Sequence, residues 1–264
     1  MNRIHQAIRD VHTIDDLSRR NLFVNYLHPL FKLIAVLVYL VITISYGPYD
    51  LLGVLSMGIY ILILYPIADL SLKDTLYKFR YVLSLLFFVG ILNLFFDKEV
   101  LFYFYSIPIT SGCISMLVLM LKGIFTFFVA YFLIATTGME ALCAALQSMH
   151  MPKILVVTIL LIYRYVIVLL QDANRLSLAY SLRAPDHKGI QYEAWGSMLG
   201  QLLLKSIDRA QIVYESMLLR GFNGMFYYEM KYYKSASICF FSISILYCLI
   251  CKVFPVFELV GRMF

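Results

Sequence analysis

Apolar residues gather into five nearly unbroken stretches, at about 30–45, 51–67, 81–96, 114–136 and 235–256, with a long polar tract, 137–234, between the last two. Runs of this kind predict membrane-spanning helices, several near the lower limit that a hydrocarbon core about 30 Å thick accepts. Short spans imply little tilt, or flanking side chains that reach up to the headgroups. The fold class expected is all-α: a polytopic membrane protein with about five transmembrane helices plus two long cytoplasmic amphipathic helices. The chain then divides into an N-terminal segment (1–28), a four-span region (29–136), the polar tract (137–234) and a fifth span with the C-terminus (235–264).

Hydropathy alone would make 154–170 a sixth span. Arg164, within Tyr163-Arg164-Tyr165, would then sit near the bilayer centre at about 2.5–3.5 kcal/mol on insertion scales. An extra crossing would also carry the basic residues from Arg175 to Lys234 outside. A helix from 152 to about 182, with Pro152 in its first turn and lying at or under the membrane surface, fits better. In the second segment, 195–220, Leu199, Leu202, Leu203, Ile207, Ala210, Val213 and Met217 form a stripe of period 3.6. Gln201, Lys205, Asp208, Gln211 and Glu215 occupy other faces, and Arg209 and Arg220, eleven positions apart, project from one side. The two segments end in Leu182-Arg183-Ala184 and Leu219-Arg220-Gly221. Either arginine alone is accounted for by the helix macrodipole, and Gly221 by the left-handed stop that often ends helices. Recurrence in one tract, each time after a stripe of large apolar residues, points to paired contacts with another subunit.

A hydrophobic fraction of 62%, only 14% charged residues and a mean hydropathy of +0.81 exclude an ordinary soluble domain. Sidedness follows from the basic residues. Arg3, Arg9, Arg19 and Arg20 precede the first span, Lys73, Lys78 and Arg80 follow the second, and ten more run from Lys153 to Lys234, against Lys98 alone in the third-to-fourth connection. The N-terminus is expected inside and the C-terminus outside. Phe95, Phe96, Phe102, Tyr103, Phe104 and Tyr105 would mark the outer headgroup level, and Tyr227, Tyr228, Tyr232 and Tyr233, with Lys231 and Lys234, the inner one. The net charge of +6 is matched by the anionic inner leaflet and calls for no nucleic acid. The N-terminal residues lack the pattern of a cleaved signal peptide, so the first span would act as the insertion signal.

Candidate chemistry is sparse. Cys248-Leu249-Ile250-Cys251 has metal or redox spacing inside an apolar helix, where packing is the commoner explanation; Cys113, Cys143 and Cys239 are isolated. His5, His12, His28, His150 and His187 are scattered, so no metal site is expected. A secondary transporter or channel would need ionisable groups at mid-membrane, for which Lys122, Asp69 and Arg164 are the candidates. A membrane enzyme would need clustered carboxylates, whereas Asp172, Asp186, Asp208 and Glu215 are dispersed and Asp172 pairs most simply with Arg175 on its own helix. No Gly-x-x-x-x-Gly-Lys-Ser/Thr loop is present to cradle a nucleotide.

Several fragments resemble one family over most of the chain. They are His28-Pro29-Leu30-Phe31-Lys32-Leu33, Pro152-Lys153 with Tyr163-Arg164-Tyr165, and Ser181-Leu182-Arg183-Ala184-Pro185-Asp186-His187-Lys188-Gly189. Gly196 to Leu204, Asp208-Arg209-Ala210 and Met217-Leu218-Leu219-Arg220-Gly221-Phe222 continue it. Together they resemble the transmembrane T components of energy-coupling factor transporters, most closely the CbiQ branch that serves cobalt uptake. That resemblance implies a coupling scaffold in a bacterial or archaeal cell membrane, without catalysis or cofactor of its own. ATP and magnesium would belong to a partner, a CbiO-like ATP-binding-cassette ATPase dimer. Further partners would be a CbiM-like substrate-binding membrane subunit, optionally with a CbiN-like small subunit, and membrane lipids. In the family two Ala-Arg-Gly motifs end crossed coupling helices and insert into the ATPases. By resemblance the docking residues are Arg183, Ala184, Arg220 and Gly221, with Arg209. The first site reads Leu-Arg-Ala and so lacks the glycine stop.

Overall fold

The computed structural model describes residues 9, 13, 15–20, 22–96, 100–104, 107–184, 189–224 and 232–253. Arg3, His5, His12, Lys98, Tyr105, Asp186, His187, Lys188, Tyr227, Tyr228 and Lys231 lie outside the described residues, as do the side chains of Phe95, Phe96, Phe102, Tyr103 and Phe104. The chain forms two compact units, one of residues 18–137 with 231–264 and the other of 1–17 with 138–230.

The first unit is a helical bundle of α1 (Pro29–Ile44), α2 (Leu51–Ile67), α3 (Leu72–Phe96), α4 (Ser111–Thr137) and α8 (Lys234–Val253). Each expected span is one of these helices. α1 begins with Pro29, whose missing N–H costs nothing at a helix start, and His28 Nδ1 accepts from the Leu30 amide at 3.3 Å. α2 stops in a Schellman turn, with Asp69 at φ 50° and bonds from Leu70 N to Tyr65 O and Asp69 N to Pro66 O. α3 starts nine residues before the expected boundary at 81. Its first turns are amphipathic, with Thr75 and Phe79 buried among charged neighbours, and average hydropathy does not register that pattern. At its start the Ser71 hydroxyl donates to the Asp74 carboxylate and accepts from the Asp74 amide.

Lipid tails are as apolar as leucine, so polar contacts and shape hold such a bundle together. Three tyrosines supply both. Tyr39 of α1 donates to Met57 O at 3.0 Å, Tyr60 of α2 to Ser244 Oγ at 3.0 Å and Tyr247 of α8 to Ser56 O at 2.5 Å. Their rings stack in series, with centroids 5.1 and 5.7 Å apart.

Hydrogen bonds also fix the helix directions. At one end Lys32 Nζ donates to Thr136 O at 2.9 Å, the Tyr233 amide to Tyr26 O at 3.1 Å, the His28 amide to Ser237 Oγ at 2.9 Å, and Arg20 pairs with Asp69 at 3.4 Å. At the other end Tyr46 OH donates to Cys251 O at 2.9 Å and Lys122 Nζ to Tyr46 O at 2.5 Å. The starts of α1 and α8 and the ends of α2 and α4 therefore share one end of the bundle.

Between α3 and α4 lies an antiparallel pair, β1 (Val100–Phe104) and β2 (Ile107–Thr110), with Tyr103 opposite Pro108. The sequence pattern predicts no strands here, only an aromatic run at the headgroup level. β-branched and aromatic residues dense enough to mark an interface also favour strands. The rest of the described secondary structure is helical, apart from turns and a 3-10 turn at Phe23–Tyr26.

The second unit contains α5 (Met139–Ser148), α6 (Lys153–Arg183) and α7 (Tyr192–Leu219). α5 lay unrecognised in the polar tract; it ends in another Schellman turn, with His150 at φ 62° and Met151 N bonded to Leu146 O. Pro152 caps α6 instead of occupying its first turn. Tyr163 OH donates to Asp15 Oδ1 at 2.6 Å, tying the N-terminal segment to α6. By length and composition four helices could cross a membrane, Leu72–Leu94, Ser111–Thr137, Lys153–Arg183 and Lys234–Val253, while Pro29–Ile44 and Leu51–Ile67 are shorter and apolar.

Candidate functional site

α6 and α7 run antiparallel and cross. Near the turn that joins them, Ala173, Leu176 and Ser177 of α6 face Trp195, Met198, Leu199 and Leu202 of α7, and Tyr180 OH meets Gln191, the α7 N-cap, at 3.3 Å. On the far side of the crossing the helices splay around a groove of about 390 Å³, lined by Leu161, Tyr165 and Leu169 of α6 and Ala210, Val213 and Met217 of α7. Between these two regions lies a polar contact. The Asp172 side chain, 8% exposed, accepts from Arg209 Nη2 at 3.4 Å and has Arg175 Nη1 at 3.7 Å. The expected Asp172–Arg175 pair is present. Arg209, expected at the docking surface, is turned onto Asp172.

Arg183 stands eleven positions after Asp172, and Arg220 eleven positions after Arg209. At about 1.5 Å per residue, each arginine lies about 16 Å along its helix from the crossing, in opposite directions because the helices are antiparallel. Both are exposed and make no side-chain hydrogen bond or ion pair among the described residues. The preceding leucines are exposed too, Leu182 by 75% and Leu219 by 90%. Each tip thus offers an apolar anchor beside a planar, fivefold hydrogen-bond donor.

The two tips end differently. Gly221 adopts φ 75°, its amide bonds to Leu218 O at 2.9 Å and that of Phe222 to Met217 O at 3.0 Å, a Schellman motif. Met217 and Phe222, the apolar pair that accompanies this motif, both line the groove. At the first tip Ala184 leaves the helix at φ −128°, ψ 69°, its amide bonded to Tyr180 O at 3.0 Å. No left-handed residue is needed there, which is compatible with alanine in place of glycine.

Residues 21–233 match the model of the CbiQ family, described as cobalt transport proteins. The chain belongs to the CbiQ family. CbiQ proteins are components of multi-subunit energy-coupling factor transporters that also contain ATPase and substrate-binding components, and this chain is accordingly a multi-pass membrane protein. One relative is the nickel permease LarQ of Lactiplantibacillus plantarum, 34% identical over 89 residues. That alignment takes in 34% of this chain and spans about a third, 33%, of the relative's length.

The ionisable residues that a mid-membrane pathway would need have local partners or exposed positions in this CbiQ chain. Lys122 donates to Ile44 O and Tyr46 O, carbonyls at the end of α1. Asp69 sits in the exposed turn after α2, against Arg20, and Arg164 is exposed on α6. Sequence reading missed Lys32, which is fully buried, its ammonium on Thr136 O at the end of α4. Its only signal was a lysine one turn into an otherwise apolar span. Cys248 and Cys251 are packed inside the bundle, 1% and 2% exposed. Among the described residues no three His, Cys, Asp or Glu side chains are grouped as metal ligands.

Proposed function

We propose that this chain is the transmembrane scaffold of an energy-coupling factor importer, in which α6 and α7 are cytoplasmic coupling helices and their Arg183 and Arg220 tips dock on a pair of ATP-binding-cassette ATPases. The observation that carries this reading is the equal eleven-residue spacing of two exposed arginines from one ion pair, that of the nearly buried Asp172 with Arg209. Two tips equidistant from a pivot suit a partner that is itself a symmetric pair. ATP-driven closure of that pair would draw on both tips, and helices pinned at Asp172–Arg209 would answer by changing their crossing angle. That change would be passed on to a substrate-binding membrane subunit. ATP and magnesium stay with the partner.

The course of the chain supports a cytoplasmic place for both helices. α4 ends and α8 begins at the same end of the bundle, so the segment between them crosses the membrane an even number of times. α7 carries Glu193, Lys205, Asp208, Arg209 and Glu215 and is a poor span, so α6 does not cross alone. With five crossings and the basic residues inside, the N-terminus is cytoplasmic and the C-terminus external, in a bacterial or archaeal cell membrane.

The family description favours cobalt as the transported ion, and the LarQ similarity keeps nickel as a second reading. Uptake of each metal, in competition, by cells carrying the complete set of subunits separates them. The scaffold reading is tested by purifying tagged chain from its membrane. Stoichiometric recovery of an ATP-binding-cassette ATPase and a small membrane subunit is expected, with the ATPase lost from an Arg183→Glu/Arg220→Glu variant that still inserts. ATPase retention by that variant would reject the docking assignment.

A further inference from the structure

Between α2, the start of α3 and α4, the bundle leaves an apolar groove of about 370 Å³. It follows α2 from Leu62 back to Leu55, about 10 Å at the helical rise, with Phe125 and Phe128 of α4 as its floor. One of its lining side chains is charged, Lys73, beside the α2–α3 turn. Lys73 is exposed and makes no hydrogen bond or ion pair among the described residues. The carboxylates near it in sequence are engaged elsewhere, Asp69 with Arg20 at 3.4 Å and Asp74 with Ser71. Two turns on, Arg80 projects from the same face of α3, its guanidinium 4.8 Å from the Tyr77 ring centre and 4.9 Å from that of Tyr81.

The geometry points to a binding site for an anionic phospholipid, its acyl chain in the groove and its phosphate at Lys73. The groove has the polarity of such a molecule, apolar along its length and cationic at one end. It parallels a helix of the membrane bundle, and the cation stands at the polar turn where α2 gives way to α3, the level of the headgroups. A lysine with no acceptor among the described residues gains most from a charged oxygen, and the surface potential of an anionic leaflet concentrates such lipids there. A protein helix in this groove would leave Lys73 unmatched unless it carried a carboxylate at that one position.

The test is lipid retention. The full chain is reconstituted in vesicles of equal phosphatidylcholine and phosphatidylglycerol, extracted in mild detergent and weighed by native mass spectrometry. Wild-type chain is expected to keep phosphatidylglycerol preferentially. Lys73→Gln should lower the ratio of anionic to zwitterionic lipid by roughly fivefold, and Lys73→Arg should preserve it. Leu62→Trp, at a position 60% exposed, fills the groove and should lose both lipids; Leu62→Phe is the milder form if the tryptophan variant is not recovered folded. An unchanged lipid ratio in Lys73→Gln, full retention in the Leu62 variants, or intact complexes holding a partner subunit there in place of lipid would overturn the assignment.

Discussion

Arg209 reaches from α7 to Asp172 on α6 at 3.4 Å, the one charged link between these two helices among the described residues. It leaves a nearly buried carboxylate with two arginines, one of them from its own helix. Asp172→Asn and Arg209→Gln should each destabilise the crossed pair by about 1 kcal/mol, a modest figure because Arg209 is 43% exposed. A double-mutant cycle read by thermal unfolding should give a coupling of about the same size. Additive losses would mean that apolar packing alone sets the crossing.

The two tips should act together in docking. Each tethered contact raises the effective concentration of the other, so a single Arg183→Glu or Arg220→Glu should leave partial ATPase retention while the double variant retains none. Arg→Lys at both tips keeps the charge but loses the planar fork, and intermediate retention is expected in the same pull-down.

Gly221 is open to test because nothing stands within 4 Å of where its Cβ would be. Gly221→Ala should therefore cost only the left-handed backbone penalty, about 1 kcal/mol, felt as faster hydrogen exchange at 217–222. Ala184→Gly at the other tip should give no comparable gain, since Ala184 is not left-handed.

Lys32 donates to the end of α4 from a site with no exposed surface. Lys32→Met keeps the volume and removes the cost of burying a charge, so it should fold with a thermal midpoint close to wild type. Lys32→Glu would set a carboxylate against the Thr136 carbonyl, and loss of folded protein on size exclusion is expected.

His28 gives a pH response. Burial, with the Tyr232 ring 4.4 Å away, pushes its pKa below the ordinary 6.5, so the folded state prefers the neutral ring, and Nδ1 can accept from Leu30 only when unprotonated. The unfolded chain then binds the extra proton more readily, and stability should fall as pH drops through 6.5 and below. Melting curves between pH 7.5 and 5.5 should show this dependence weakened in His28→Asn, which keeps a capping side chain.

Spans without interior charge were legible because a continuous apolar run has one good solution in lipid. The start of α3 was not, since Thr75 and Phe79 are buried between charged residues and only periodicity identifies their face. The helix tips could be read locally, from Leu-Arg-Gly and Leu-Arg-Ala. The Asp172–Arg209 contact could not: sequence spacing offers Asp172 the arginine three positions on, and the one thirty-seven positions away becomes its neighbour only once the helices cross. Lys32 was passed over because a lysine one turn into a span ordinarily reaches out to the headgroups, whereas this one turns inward to a helix end.

The bonds Lys32–Thr136 and Tyr26–Tyr233 place the exit and re-entry of the 138–230 unit at neighbouring doorways. Such an insert is neutral to topology: lengthening it, trimming it or exchanging it for a relative's would invert no span. The membrane bundle and the inserted unit are thus separable during evolution, so one can change while the other keeps its place in the lipid.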